Sequence, residues 1–516
     1  MSVASFLCPI PEEAQKISRQ PNRRYLNRTS LTASRVEKRS PLRDNTNMNK
    51  RPNILWYCTD QQRFDTIGAL GNPHVRTPTI DRLVHEGTAF THTYCQSPIC
   101  TPSRSSFMTG LYPSRLHNTR NGNDTFPQFP PVITKLIAEN GYTCGLIGKF
   151  HLQSSGHRTE PRLSNGDGFS YWKFSHAPRD DWESGHDYAD WVRQQGGELD
   201  TLRSSEERVP TELHQTTWGT ERSLEFLKQQ SGSNEPWLLN VNIYDPHPPF
   251  IPPKFYADQF DPQQMPGPYF RDSDLKQQQK LASLDFQDDL KTPEQHNAFR
   301  KQADYYAMIK QIDDQFARIL DYLDETGQRE NTVIIFTSDH GETLGDHGLM
   351  YKGCRFYEGL VRIPLIFSWP GQFKSDLKAK GLVEMLDLTS TIVELAGLEQ
   401  PDYMQGRSLI PVLTGEANPE HFREFVRSEY FDALDPFFTG GTGTFGTMYR
   451  IERYKLCMYH NKNLGELYDL QVDPWEFDDL WDSAEHQTIK HQLIEESFNS
   501  HVCLTTDMGS PRIAPM

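Results

Sequence analysis

Four short apolar runs, scattered along 516 residues, each end in groups that carry chemistry. Asn53-Ile54-Leu55-Trp56-Tyr57-Cys58-Thr59 runs into Asp60-Gln61. Residues 142–147 run into Gly148-Lys149-Phe150-His151. Residues 237–244 run into Asp245-Pro246-His247, and residues 332–337 into Ser338-Asp339-His340-Gly341. Runs this apolar suit strands covered on both faces, and the helical stretches between them predict α/β organisation. The strongest helix signal is Phe299, Ala303, Tyr306, Ile309, Ile312, Phe316, Leu320 and Leu323, spaced by three or four, with Gly327 as a stop. In open α/β sheets, ligands bind at the carboxyl edge of the strands. Asp, Lys and His delivered four times to that edge therefore predict one shared site. Singly, each has an ordinary reading: Asp60 and Asp339 as turn or cap residues, the lysines as solvated charges, the histidines as hydrogen-bonded structural groups.

Composition narrows the field. A net charge of −16 argues against a general nucleic-acid binder. Mean hydropathy is −0.68, and no run of about 18 apolar residues predicts a membrane span. Eight cysteines without a CxxC pair read as mostly buried thiols, not a disulfide framework. Residues 1–50 hold ten Lys/Arg against four Asp/Glu, which leaves −22 on the rest. Residues 1–47 read as a disordered basic tail, 48–415 as a catalytic domain and 416–516 as a C-terminal subdomain. No export signal is visible, so the cytoplasm is the expected compartment, with periplasm or secretion as alternatives.

The most informative stretch is Ser97-Pro98-Ile99-Cys100-Thr101-Pro102-Ser103-Arg104-Ser105-Ser106-Phe107-Met108-Thr109-Gly110. Pro102 fits a first helical turn and Gly110 a helix stop. Cys100 then lies at a helix N-terminus, which lowers a thiol pKa and favours anions. Arg104 lies one turn further and reaches the same point. The competing reading is a small buried hydrophobe.

Cys100-Thr101-Pro102-Ser103-Arg104 resembles the C-x-P-S-R signature of type I sulfatases. Arg51-Pro52-Asn53-Ile54 through Arg63, and Thr77-Pro78-Thr79-Ile80-Asp81-Arg82-Leu83, resemble that family's opening. Gly148-Lys149-Phe150-His151 is similar to its GKWH element, with Phe for Trp. Asp245-Pro246-His247, Thr337-Ser338-Asp339-His340-Gly341-Glu342, Lys352, Tyr357-Glu358 and Arg362-Ile363-Pro364 follow in the right order, as do Leu467-Tyr468-Asp469-Leu470 and Asp473-Pro474. The likeness covers roughly residues 51–480. It implies an alkaline-phosphatase-like α/β fold: a large mixed central sheet flanked by helices, plus a smaller C-terminal α+β part. Residues 429–445 are expected to form an irregular loop over the site.

The resemblance also implies a mechanism. Cys100 would be oxidised to formylglycine by a maturation enzyme and hydrated to a geminal diol. One hydroxyl attacks sulfur and the other later expels sulfate, which splits the reaction into two steps. Asp60, Gln61, Cys100, Asp339 and His340 would hold Ca²⁺, or Mg²⁺. Gln61 stands where many relatives have Asp, and His340 where others have Asn. Asp339 would also activate the diol. Arg104 would support the diol and the metal-site carboxylates. Lys149 and Lys352 would pair with sulfate oxygens, His151 would orient the diol, and His247 would protonate the leaving alkoxide. His347, His157 and Arg355 are further candidates for lining the substrate pocket.

The implied substrate is a sulfate monoester on a sugar or oligosaccharide. Alternatives are an arylsulfatase, a phosphonate monoester or phosphodiester hydrolase, or a non-catalytic carbohydrate-binding relative. Gly441-Thr442-Gly443-Thr444-Phe445-Gly446 contains a lone G-x-G-x-x-G with no strand before it, and reads as a loop instead of a dinucleotide site.

Overall fold

The computed structural model describes residues 51–155, 162–434 and 442–506. The basic stretch 1–47, His157 and Gly441 lie outside the described residues. Strands β1 (Asn53–Thr59), β2 (Thr88–Phe90), β3 (Thr143–Gly148), β4 (Phe169–Phe174), β5 (Trp237–Ile243), β6 (Thr332–Ser338), β7 (Leu365–Ser368) and β8 (Leu377–Ala379) form one sheet. Their order is β8-β2-β7-β6-β1-β5-β3-β4. The block from β6 to β4 is parallel, and β7 runs antiparallel to both of its neighbours. The sheet is therefore mixed.

β1 lies in the middle, and its two faces feed two cores. Ile54, Trp56 and Cys58 pack with Phe107 and Met108 of α2 (Cys100–Thr109) and Met385, Leu388 and Ile392 of α5 (Met385–Leu395). Leu55 and Tyr57 pack on the other side. They meet Leu83 and Val84 of α1 (Pro78–Glu86), Trp218 and Phe226 of α3 (Gln215–Gln230), and Phe316 of α4 (Ala298–Glu325). Two covered faces explain why β1 is apolar throughout. Each such fully buried large side chain is worth about 1.5–3 kcal/mol. In α4 the apolar stripe is buried from Ala303 to Leu323, but Phe299 in the first turn is 38% exposed. Its ring rests beside Gly267 instead of entering the core.

Register brings the strand ends level. Thr59 pairs with Ile243 on one side and Ser338 on the other, while Gly148 pairs with Asn242. The next residues of all four strands thus emerge along one edge. Gly148 makes the exit of β3 possible: its φ is +96°, and a Cβ there would lie 1.9 Å from the Asn242 carbonyl oxygen. Gly148→Ala is expected to cost more than about 1 kcal/mol of stability and to displace Lys149. Urea unfolding and residual activity check it; a variant with wild-type stability and activity would contradict the register described here.

The C-terminal part is α+β. β9 (Val426–Phe431), β10 (Phe445–Arg450), β11 (Tyr454–Tyr459) and β12 (Leu464–Asp469) form an antiparallel meander, followed by α6 (Gln487–Thr506). The expected irregular stretch 429–445 is trimmed at both ends: Glu429, Tyr430 and Phe431 complete β9 and Phe445 opens β10, while residues 432–434 and 442–444 lie outside strands. The strand residues pair across the hairpin, which a loop-like composition obscures. The Thr442 and Thr444 hydroxyls both donate to Asp285 Oδ1.

A buried charge cluster binds this meander to the segment after β6. Lys455, fully buried in β11, pairs with Glu358 at 2.8 Å and Glu476 at 2.6 Å, and donates to the Phe356 carbonyl. Arg362 adds a further cation to Glu358 at 3.3 Å. Among the described residues the cysteines are free thiols, buried at 58, 95, 100, 144, 354 and 457. No described helix is long and apolar enough to cross a membrane.

Candidate active site

Cys100 opens α2, as Pro102 and Gly110 require. Gly110 ends the helix at φ +75° and its N–H donates to the Ser106 carbonyl. The helix drops Cys100 onto the edge where β1, β3, β5 and β6 end. Its Sγ lies 2.9 Å from Lys352 Nζ, 3.1 Å from His340 Nε2, 3.6 Å from Lys149 Nζ and 3.8 Å from Asp60 Oδ1. Burial alone would raise this thiol, but Lys149, Lys352 and His340 overcome it and hold it well below the ordinary thiol value. The other buried thiols, Cys58, Cys95, Cys144, Cys354 and Cys457, are all pushed upward by burial. Cys100 alone among them is built to carry negative charge.

Arg104, 1% exposed, ties the edge together. Its Nε donates to Asp339 Oδ2 at 2.9 Å, Nη1 to the Lys149 carbonyl at 2.9 Å and Nη2 to Asp60 Oδ2 at 3.3 Å. Three strand ends are thereby joined by one side chain, and two buried carboxylates gain the partner that burial demands. Lys149 also pairs with Asp60. Burial and the neighbouring Cys100 push Asp60 up, yet Lys149, His247 and Arg104 outweigh them and bring its carboxyl down to about 2.

His340 turns its Nδ1 to the Gly341 carbonyl at 2.8 Å, so Nε2 faces Cys100. His247 turns Nδ1 to the Pro248 carbonyl and Nε2 to Lys352 Nζ at 3.2 Å. Burial and Lys352 push its imidazole down. His151 bonds the Cys100 thiol, and burial with Lys149 pushes it down to about 4. Gln61 and His151 sit at φ +71° and +54°, so the backbone is strained on both sides of the thiol.

The donor chemistry fits a divalent cation. One ligand atom each from Asp60, Cys100, Asp339 and His340 lies within 4.8 Å of the others. Gln61 Oε1 and His340 Nε2 already face a positive charge, the Lys352 ammonium, at 2.8 and 3.4 Å. Carboxylate and amide oxygens suit a hard ion.

Among the described residues, every site residue expected from the sequence converges here except the pocket-lining candidates His347 and Arg355. His347 instead stacks on Tyr357 and faces Asp274. Arg355 spends its nitrogens on Gln278, Cys354 and Leu281. Both are buried, and their contacts knit the segment after β6 to residues 274–281. The supporting groups carry no such signal in the sequence. Asn121 Oδ1 accepts from the Thr101 N–H in the first turn of α2, Asn242 Oδ1 accepts from Arg104, and Tyr305 donates to the Gln61 carbonyl. Nothing in their local sequence marks them; only Glu342, which accepts from the Gln61 amide, lies inside a recognisable motif.

Residues 52–398 match the sulfatase family, and residues 345–501 match the C-terminal part of N-sulphoglucosamine sulphohydrolase. A multifunctional alkaline phosphatase superfamily protein of Trinickia caryophylli is 31% identical, over 83% of this chain and 91% of its own. The N-acetylglucosamine-6-O-sulfatase of Bacteroides thetaiotaomicron is 26% identical, over 87% and 86%. A phosphonate monoester hydrolase of Silicibacter pomeroyi superposes with a TM-score of 0.76 at 24% identity, covering 89% of this chain and 96% of that one, and so shares the fold. With the family match spanning the whole catalytic edge, this chain belongs to the sulfatases and is a sulfuric ester hydrolase of alkaline-phosphatase-like fold.

Proposed function

We propose that the enzyme removes sulfate from a sulfated carbohydrate, with Cys100 converted to formylglycine and a Ca²⁺ or Mg²⁺ ion at Asp60, Gln61, Asp339 and His340. The observation that carries this reading is the Cys100 thiol, held low between Lys149 and Lys352 at the start of α2. Its Sγ stands where an oxygen of the hydrated aldehyde would sit, and the ammonium and imidazole groups around it suit that oxygen equally well. The hydrated aldehyde supplies an attacking hydroxyl and a second hydroxyl for sulfate release. A divalent cation held by Asp60, Gln61, Asp339 and His340 would supply Lewis-acid polarisation.

The chain's own residues do the rest. Lys149 and Lys352 bind ester oxygens as the sulfuryl group becomes more negative. Arg104 holds the Asp60 and Asp339 carboxylates in place. The Lys352 Nζ–H faces His247 Nε2, so this pair holds a transferable proton beside the leaving oxygen. His247 is half-buried, whereas His151 and His340 are buried, so it is the site imidazole that a departing alcohol can reach. The sugar preference is supported by the N-acetylglucosamine-6-O-sulfatase relative.

Matched sulfate and phosphate esters test the reading. Sugar sulfates should turn over faster than aryl sulfates of similar size, phosphodiesters or phosphonate monoesters. His247→Ala should lower kcat by about 10²–10⁴ on a sugar sulfate but far less on a nitrophenyl sulfate, whose phenolate leaves without a proton. Faster phosphodiester or phosphonate turnover would replace this function with that of the second enzyme class. Inactivity on every ester by protein with confirmed formylglycine would leave a carbohydrate-binding role.

A further inference from the structure

Gln61 is held from every side. Its backbone N–H donates to Asp339 Oδ1 at 3.0 Å and its carbonyl accepts from the Tyr305 hydroxyl at 2.6 Å, which fixes the left-handed backbone. Its side chain is pinned between two charged groups of opposite hydrogen-bonding character. Lys352 can only donate, so the oxygen Oε1 must face it, at 2.8 Å. Glu342 accepts from the Leu344 N–H, the Tyr351 N–H and the Gln61 Nε2. It acts there as an acceptor, so the amide nitrogen must face it. Both partners are fully buried or nearly so, with no water-exposed alternative for the amide.

We propose that Glu342 is a positioning residue that fixes the orientation of the Gln61 amide, so that its oxygen rather than its nitrogen faces the cation site. An amide at this position is ambiguous in a way a carboxylate is not: one flip would present N–H groups to a cation and abolish the ligand. Glu342 removes the ambiguity. It also sets a buried carboxyl group directly behind the neutral ligand. The proposal rests on the cation-site reading above, and it goes beyond it by assigning a role to a group that touches neither substrate nor ion.

Glu342→Gln tests it. Its new amide must offer its one oxygen to the Leu344 and Tyr351 N–H groups. Its NH₂ then meets the Gln61 NH₂ donor to donor, and a flip that relieves this turns the Gln61 NH₂ onto the Lys352 ammonium, so neither orientation of the amide is held. Calcium, magnesium and manganese titrations by calorimetry, on the purified full chain, read cation affinity without any substrate. The expected result is a loss of tenfold or more in affinity for the cation that binds wild type best, matching the loss in Gln61→Ala. The double variant Glu342→Gln/Gln61→Ala should lose no more than Gln61→Ala alone, because Glu342 acts through Gln61. Should Glu342→Gln not accumulate folded, Glu342→Asp retracts the acceptor from Gln61 and keeps the charge, and the same non-additivity is expected. Additive losses, or wild-type affinity in Glu342→Gln, would overturn the positioning role while leaving the cation site standing. Wild-type protein that binds none of the three ions would overturn both.

Discussion

Cys100→Ala is expected to lower sulfate-ester turnover by at least about 10⁴-fold, because it removes the attacking group from a site whose parts act as a unit. Its fold should survive. Cys100 contributes little apolar packing, and α2 keeps Arg104 in place through Asp339, Asp60 and the Lys149 carbonyl. The thermal midpoint is therefore expected to stay close to wild type while activity vanishes. Cys100→Ser sharpens the result. A serine has one hydroxyl, so it can accept sulfate but lacks the second group that would release it. The peptide of that variant spanning position 100 should accumulate as its sulfate ester. Mass spectrometry of the wild-type peptide completes the experiment: it should have lost one sulfur and two hydrogens and gained one oxygen. Unmodified cysteine in fully active protein would overturn the proposed nucleophile.

Lys455→Met is expected to cost about 3–5 kcal/mol in urea unfolding, a loss far larger than a surface lysine would give. Lys455 has no exposure, and it is the shared cation between Glu358 and Glu476. Glu358 keeps Arg362 and Arg450 nearby after the substitution, at 3.3 and 3.8 Å. Glu476 keeps no comparable cation among the described residues, and burial already pushes its carboxyl up to about 7. Adding Glu476→Gln to Lys455→Met should therefore recover part of the loss. A cost below about 1 kcal/mol for Lys455→Met would mean that water reaches the cluster. Because Glu358 closely follows Lys352 in the chain, the cluster is also what holds the meander against the site's last lysine.

Much of this site is legible in the sequence, for a physical reason. A parallel strand covered on both faces must be apolar along its length, so Asp60, Lys149, Asp245 and Asp339 stand out as abrupt changes at its end. Cys100 stands out because proline, arginine and glycine frame it. Groups that work through register are silent. Asn242 lies inside β5 and looks like an unremarkable polar residue, yet its carbonyl forces glycine at 148 and its side chain receives Arg104. Glu342 and Tyr305 reach Gln61 across 281 and 244 residues, and Lys455 reaches Phe356 across 99. Nothing in their chain neighbours predicts those meetings. Segment 429–445 misleads only at its ends: Tyr430 and Phe431 join the meander by pairing with Gly446 and Phe445, partners that their own chain neighbours do not reveal.

The central place of β1 bears on how the chain is made. Its first neighbour, β5, begins 184 residues later, and Ser338 of β6 reaches Thr59 across 279. At ~5–20 residues per second of synthesis, β1 waits roughly 9–37 s for one partner and roughly 14–56 s for both. Until β5 is made, this seven-residue strand has both edges unpaired, and until β6 is made it still has one. Such a segment is an aggregation template, so the yield of active enzyme is set by whatever shields these residues while the rest of the sheet is still being translated.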